Sequence, residues 1–196
     1  MSDVRVIGPR LPTGYLFFVG GICAAIETTL DPGPEEVRAV IRATAFTSAV
    51  PFLAAFTASA LHRLRPSGPT RWLMVNRRYL GLSVAASHTW HLLAIVVFLR
   101  SYASGGSVAT TTLVFGSAGF VLLGLMAATS NDASQRALGR AWGGLHTVGI
   151  YVLWLDFIFK YTGTATVSLF HALMTLAFAG AWVLRIVARS ARRTPR

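Results

Sequence analysis

Five histidines lie within or at the edge of apolar segments of the chain: His62, His88, His91, His146 and His171. His88 and His91 are three residues apart in the run SVAASHTWHLLAIVVFL, so they project from one face of a helix. Imidazole is a standard axial ligand of haem iron, and a helical bundle can hold a cofactor between facing helices. For any one histidine, a hydrogen bond to a backbone carbonyl is an adequate alternative, whereas five together favour haem.

The composition is that of a membrane protein. Of 196 residues, 54% are hydrophobic and 13% are charged, against about 25% charged in a typical soluble domain. A net charge of +11 on a soluble protein would indicate nucleic acid, but here the basic residues should face an anionic membrane surface. We therefore expect membrane lipid and no nucleic acid as partner. Cys23 is the single cysteine, which excludes a disulfide or a cysteine metal site within one chain.

A spanning helix needs about 20 mostly apolar residues, and six segments of this chain meet that length. The sequence predicts an all-α integral membrane protein, a single transmembrane domain over 1–196 with spans at about 13–30, 40–61, 79–99, 107–129, 141–159 and 165–187. The first span is short enough to resemble a signal peptide. However, Asp3 dilutes the positive N-terminal region and no clear cleavage site follows.

The distribution of basic residues predicts the orientation of the bundle. With six spans, both termini, the loop between spans two and three and the loop between spans four and five share one side. That side holds fourteen of the 18 basic residues: Arg5, Arg10, Arg63, Arg65, Arg71, Arg77, Arg78, Arg136, Arg140, Arg185, Arg189, Arg192, Arg193 and Arg196. Basic loops stay in the cytoplasm, so both termini are expected there.

The depth of each histidine along its span suggests how they could pair on iron. His146 and His62 lie near the cytoplasmic side, and His88 lies somewhat deeper, so His146 is expected to share a haem with His88 or His62. His91 lies nearer mid-membrane and His171 toward the external side, so these two could share a second, external-side haem. One or two haems therefore fit the spacing.

Charged residues near the span ends have two interpretations. Arg77, Arg78 and Arg140 stand at cytoplasmic ends, where their guanidinium groups suit the carboxylates of haem propionates or simply anchor the helices. On the external side, Asp156 and Lys160 have the i, i+4 spacing of an ion pair, and Glu27 could pair with Arg42. The alternative for that external set is a quinone site or a docking site for a partner protein.

Two motifs resemble a known family. The segment RRYLGLSVAASHTWH (77–91) is similar to the third-span signature of the ferric reductase-like transmembrane family, in which two basic residues and Leu-Gly-Leu precede a histidine. The segment TSNDASQRALGRAWGGLH (129–146) is similar to that family's loop before its fifth span. Within the family, the resemblance is greatest to haem-binding membrane subunits of bacterial periplasmic methionine sulfoxide reductase systems.

The resemblance implies b-type haem inside the helices, electron transfer across a bacterial inner membrane, and His91 and His146 as iron ligands. The chain also departs from the family pattern. A second fifth-span histidine usually follows about thirteen residues after the first, where this chain reads DFIFK with Phe159. The family's tyrosine is displaced as well, with Tyr151 five residues after His146 instead of four. Either one haem is lost, or His171, His88 or His62 replaces the missing ligand.

The sequence therefore predicts an electron-transfer subunit and not a complete enzyme. The chain has no Gly-rich dinucleotide loop and no room for a flavin or nicotinamide domain. Electrons would have to arrive from a quinol, a bound flavin or a separate reductase, and leave to a redox partner protein or an external acceptor. The second hypothesis is a haem-free accessory or assembly subunit of a larger membrane complex, which the missing fifth-span histidine favours.

Overall fold

The structure is a computed structural model, and it describes residues 6–103 and 110–191. Within these residues there are seven helices and no strand. The helices are α1 (Arg10–Thr29), α2 (Pro34–Leu64), α3 (Gly68–Ser101), α4 (Thr110–Ala128), α5 (Asp132–Leu138), α6 (Arg140–Gly163) and α7 (Leu169–Ser190). The prediction of an all-helical chain is confirmed.

Five helices of the described chain are long and apolar enough to cross a membrane: α1, α2, α3, α6 and α7. They correspond to predicted spans one, two, three, five and six. The predicted fourth span, 107–129, overlaps α4, whose apolar stretch is Gly116–Ala128. The first residues of that span lie outside the described residues. Four of the arginines that predict the orientation also lie outside them: Arg5, Arg192, Arg193 and Arg196.

Two helices extend well past the predicted spans. α2 has 31 residues and α3 has 34, so at about 1.5 Å per residue they are roughly 46 and 51 Å long. The hydrocarbon core of a bilayer is about 30 Å thick, so both helices reach beyond it. The connection between α2 and α3 is short, because Ser67 caps α3 and Pro69 fits its first turn. Arg71, Arg77 and Arg78 therefore lie on α3 and not in a loop.

The helices form a ring around an aromatic core. Neighbours in the ring pack as α2 with α3, α3 with α4, α4 with α6, α6 with α7, and α7 with α2, and α1 packs outside on α2 and α3. The residues buried at the centre come from all five ring helices, and they include Phe52, Phe56, Phe157, Phe178, Tyr161 and Leu123. This core holds the two ends of the bundle at a fixed separation.

A proline in α2 explains how α1 is attached. Pro51 has no amide hydrogen, so the Thr47 carbonyl loses its partner within the helix. The Tyr15 hydroxyl of α1 donates to that carbonyl. In a membrane interior an unpaired carbonyl would be costly, so the contact fixes α1 against α2 at this level.

A second contact places α1 against α3, between Trp90 and the backbone at Leu16 and Gly20. The Trp90 indole donates to the Leu16 carbonyl over 2.9 Å, and a Cβ at Gly20 would lie 2.8 Å from Trp90 Cζ2. Because the indole is held by its hydrogen bond, Gly20→Ala should overpack this contact and destabilise the protein by about 1–3 kcal/mol. The measurement is the midpoint of thermal unfolding in detergent.

Gly21→Ala is the matched control, because a Cβ at Gly21 meets nothing within 4 Å. That change should be neutral or slightly stabilising, since alanine favours a helix over glycine by about 1 kcal/mol. Equal midpoints for the two variants would show that Trp90 does not pack against Gly20 in the folded protein.

Candidate functional site

Two cavities open at opposite ends of the ring. The histidine cavity has a volume of about 500 Å³ and is lined by the imidazoles of His88, His91 and His171. The arginine cavity has a volume of about 460 Å³ and is lined by Arg77, Arg78, Arg185, Arg189, His146 and Trp142. At about 1.5 Å per residue, His88 lies about 16 Å along α3 from Arg77. Both volumes are in the range of small-molecule sites.

Four helices contribute to the histidine cavity. α3 provides His88 and His91, α7 provides His171, and α2 and α6 complete the wall. The wall is largely aromatic, with the rings of Phe46, Phe157, Tyr161 and Phe170. A flat apolar ligand with a metal centre would find both apolar surface and imidazole nitrogen here.

His91 is held by a polar contact between α2 and α3. Its Nδ1 lies 2.9 Å from Thr44 Oγ1, and the ring is buried. Thr44 Oγ1 has one hydrogen, which it donates to the carbonyl of Val40 over 2.7 Å or of Ile41. The hydroxyl therefore accepts from His91 Nδ1–H. In the neutral ring the lone pair is then on Nε2. A histidine in this tautomer can bind iron through Nε2.

Neighbouring polar side chains hold the same pair of helices together. Thr47 Oγ1 lies 2.9 Å from Ser87 Oγ, and Ser87 Oγ donates to the Thr44 carbonyl over 3.1 Å. All of these groups are buried. The contacts lock α3 in register with α2, which fixes the position of His91.

His88 presents the same tautomer. Its Nδ1 donates to the Val84 carbonyl one turn earlier over 3.2 Å, which leaves the lone pair on Nε2. Its ring centroid lies 5.5 Å from that of His91 and 6.0 Å from that of Phe157. Phe120 of α4 contacts both imidazoles, with centroid distances of 5.6 and 6.0 Å. Contacts within the protein therefore hold both imidazole rings in place without a ligand.

His171 lies in the first turn of α7. Ser168 caps that helix, and its Oγ lies 2.7 Å from His171 Nδ1. The His171 ring packs at 6.1 Å from Tyr161, measured between centroids. This histidine also has Nδ1 in contact with a polar partner.

Charged groups border the histidine cavity. Lys160 and Asp156 form an ion pair of 2.9 Å, as their i, i+4 spacing predicts. Arg42 also lines the cavity, and it forms no ion pair with Glu27 in the described part of the chain. The expected Glu27–Arg42 pair is thus not present, and Arg42 remains available to an anionic group.

The arginine cavity contains one histidine. His146 Nδ1 donates to the Trp142 carbonyl over 3.1 Å, and its ring stacks on Trp142 with centroids 4.1 Å apart. His146 Nε2 lies 3.4 Å from Ser130 Oγ. Arg78 of this cavity pairs with Asp132. The hydrogen bond and charge of Arg78 lower the pKa of the Asp132 carboxyl below its usual value.

The structure brings some predicted site residues together and separates others. His88, His91 and His171 share one cavity, and His146 shares the other with Arg77 and Arg78. His88 thus lies with His91 and not with His146. His62 and Arg140 line neither cavity. His62 Nδ1 instead lies 3.1 Å from Thr70 Oγ1, and Arg140 is exposed.

Sequence reasoning missed several residues of the two cavities. Sequence reasoning does not identify Thr44 as a site residue, although Thr44, Thr47 and Ser87 are polar residues inside apolar spans. From the sequence, Arg185 and Arg189 count only among the basic residues of the cytoplasmic side. Their i, i+4 spacing places them on one helix face, and that signal could have identified them.

The imidazoles of the histidine cavity fit haem better than a bare metal ion. In residues 6–103 and 110–191, no three His, Cys, Asp or Glu side chains are grouped to hold a metal ion. A porphyrin brings four nitrogen ligands of its own and needs only one or two imidazoles from the protein. The histidine cavity offers three imidazoles with Nδ1 engaged, in an aromatic-walled space of about 500 Å³.

No protein-family model matches the sequence. No solved structure matches the fold.

Proposed function

We propose that the protein is a b-type haem subunit of the ferric reductase-like kind, which passes electrons across a bacterial inner membrane. In this proposal the bundle has six spans, both termini are cytoplasmic, and the arginine cavity faces the cytoplasm. The observation that carries the proposal is the histidine cavity, where three imidazoles from two helices have Nδ1 engaged. Metal-binding histidines almost always donate their second ring nitrogen to such a partner.

We assign the haem to the histidine cavity, with His91 and His171 as the ligands from different helices. When bound between two imidazoles, haem supplies one-electron transfer and no open coordination position for a substrate. His91 is fixed by Thr44, and His88 lies beside it on the same face of α3. Arg42 and Lys160 border the cavity and suit the haem carboxylates.

Electrons would enter from a quinol, a bound flavin or a reductase and leave to a redox partner protein or an external acceptor. The aromatic side chains between the two cavities exclude water from the centre of the bundle and keep its helices in place. The resemblance of residues 77–91 and 129–146 to haem-binding membrane subunits supports b-type haem and His91 as one of its ligands. His146, which the resemblance makes a ligand, would then be a single imidazole beside Arg77 and Arg78.

A haem-free accessory subunit is the second candidate function. In the described residues, every buried side-chain nitrogen or oxygen has a hydrogen-bond partner without any ligand. Phe159 also stands where the family has a second fifth-span histidine, and it is 71% exposed on α6. Both observations are expected of a relative that kept the fold and lost the cofactor.

The absorption spectrum of the purified full chain separates the two functions. Reduction with dithionite should produce the sharp α-band of a six-coordinate b-type haem, because two imidazoles complete the coordination of the iron. Pyridine haemochrome quantification should give about one haem per chain. A colourless preparation that is monodisperse and fully helical by circular dichroism, even after haem is supplied during expression, would favour the accessory subunit.

A further inference from the structure

The arginine cavity carries more positive charge than its surroundings neutralise. Four guanidinium groups line it, two from α3 and two from α7. The described residues contain three ion pairs, Arg38–Glu35, Arg78–Asp132 and Lys160–Asp156. Arg77, Arg185 and Arg189 belong to none of them, and among the described residues no carboxylate lines the cavity. An anionic ligand would balance this charge.

Arg185 is held in place by neutral groups. Its guanidinium carbon lies 4.3 Å from the Phe56 ring centroid and 5.3 Å from that of Tyr151. One Arg185 nitrogen donates to the Phe56 carbonyl over 2.8 Å, and another to the Tyr151 hydroxyl over 3.3 Å. Arginine has five N–H donors, so these contacts orient the fork and leave donors for a ligand.

Arg189 is oriented by the same tyrosine. Its guanidinium donates to the Tyr151 hydroxyl and lies 5.8 Å from that ring centroid. Two cations thus share one uncharged acceptor, one helical turn apart on α7. Because the Tyr151 oxygen is neutral, it positions both groups without cancelling either charge.

One part of the cavity wall is apolar, beside the polar side chains of Ser130, Gln135 and Thr147. Leu123, Met126, Ala127 and Ile150 contribute hydrocarbon surface. Gly81 and Gly143 also line the cavity, and a Cβ at either position would meet nothing within 4 Å. The site therefore combines a fork of cations with an open apolar wall, which suits an amphiphile with a small anionic head.

We propose that the arginine cavity binds the phosphate group of an anionic phospholipid, with Arg77, Arg185 and Arg189 contacting the phosphate. The acyl chains then lie against Leu123, Met126 and Ile150. Basic pockets between membrane helices bind anionic headgroups in this way. Free phosphate has the same head chemistry but leaves the apolar wall bare. This site does not depend on haem in the histidine cavity.

Native mass spectrometry of the full chain in detergent tests the proposal, with phosphatidylglycerol and phosphatidylcholine of identical acyl chains as probes. The wild-type protein should retain phosphatidylglycerol at least about tenfold better than phosphatidylcholine. Arg185→Gln combined with Arg189→Gln should remove that preference, because phosphatidylglycerol keeps a net negative charge that pairs with these guanidinium groups, whereas choline neutralises the phosphate of phosphatidylcholine.

Arg71→Gln is the matched control, because Arg71 is exposed on the same α3 and lines neither cavity. It should leave the preference unchanged. Gly81→Leu provides a second test in case the double arginine variant misfolds, since it fills the cavity and keeps all four cations. Gly21→Leu, on the exposed face of α1, is its control. Only Gly81→Leu should weaken phosphatidylglycerol binding.

A third arm distinguishes the source of the phosphate. Inorganic phosphate at millimolar concentration should not displace phosphatidylglycerol from the wild-type protein, whereas displacement would overturn a lipid in favour of a free phosphate. Equal retention of the two lipids, or equal loss in Arg71→Gln and the double variant, would overturn the site altogether. A double variant that loses haem but keeps its lipid preference would also overturn it, since the arginines would then serve haem carboxylates.

Discussion

A His91→Ala variant should lose nearly all of its haem while keeping its helical fold. His91 is the imidazole that the fold fixes most firmly, since it is buried and bonded through Nδ1 to Thr44 on the neighbouring helix. Without His91, the remaining histidine on α3 is His88. Its ring is held in a different orientation by its own hydrogen bond to the Val84 carbonyl. We expect haem per chain to fall to about a tenth of the wild-type value or less, measured as pyridine haemochrome, because losing one ligand sacrifices a coordinate bond.

His62→Ala is the control for that experiment. His62 is also a histidine in an apolar helix, but it lies outside both cavities and bonds to Thr70. This variant should keep the wild-type haem content and spectrum. A structural role for His91 would predict loss of fold, so the readout includes rescue. Haem should return to His91→Gly when imidazole is added to the buffer. Normal haem content in His91→Ala would contradict the assignment.

Much of the fold follows from hydrophobicity and length. Five described helices coincide with predicted spans, because a run of about 20 apolar residues has few other stable forms in a membrane. The ends of α2 and α3 were less predictable. Their outer turns carry charged residues, which a hydropathy criterion assigns to loops, yet Ser67 and Pro69 start α3 at once after α2.

The candidate site was predictable in its residue types but not in their grouping. The spacing of His88 and His91 placed both on one helix face, and the ring contact between them agrees with this. The depth of each histidine along its predicted span also allowed His91 and His171 to share a site. The partner of His146 could not be derived in this way, because depth along a span does not determine which helices are neighbours in a ring.

The arginine cavity shows a second limit of sequence reasoning. Arg185 and Arg189 looked like ordinary cytoplasmic anchors, because the positive-inside pattern accounts for any arginine near a helix end. Their difference from Arg71 lies in the aromatic rings of Phe56 and Tyr151, which come from two other helices. Only the packing of α2, α6 and α7 brings those rings to the same place.

The aromatic core between the two cavities leads to the second large prediction. Phe178 is 0% exposed, and its ring centroid lies 5.2 Å from that of Phe157, 5.7 Å from Tyr161 and 5.9 Å from Phe52. Phe178→Ala should destabilise the bundle by about 3–5 kcal/mol, as for other large-to-small changes at buried sites. In lipid the loss comes from packing and not from water exclusion, because lipid tails are as apolar as the core.

Phe159→Ala makes the same chemical change on the lipid-facing side of α6, where the ring is 71% exposed. Its effect should stay within about 0.5 kcal/mol, since lipid tails replace the lost contacts. The free energy of unfolding is measured by titrating mixed micelles with sodium dodecyl sulfate and following helical content. If both variants unfold at the same detergent fraction, Phe178 is not packed among three helices, and the separation of the two cavities by an aromatic core is wrong.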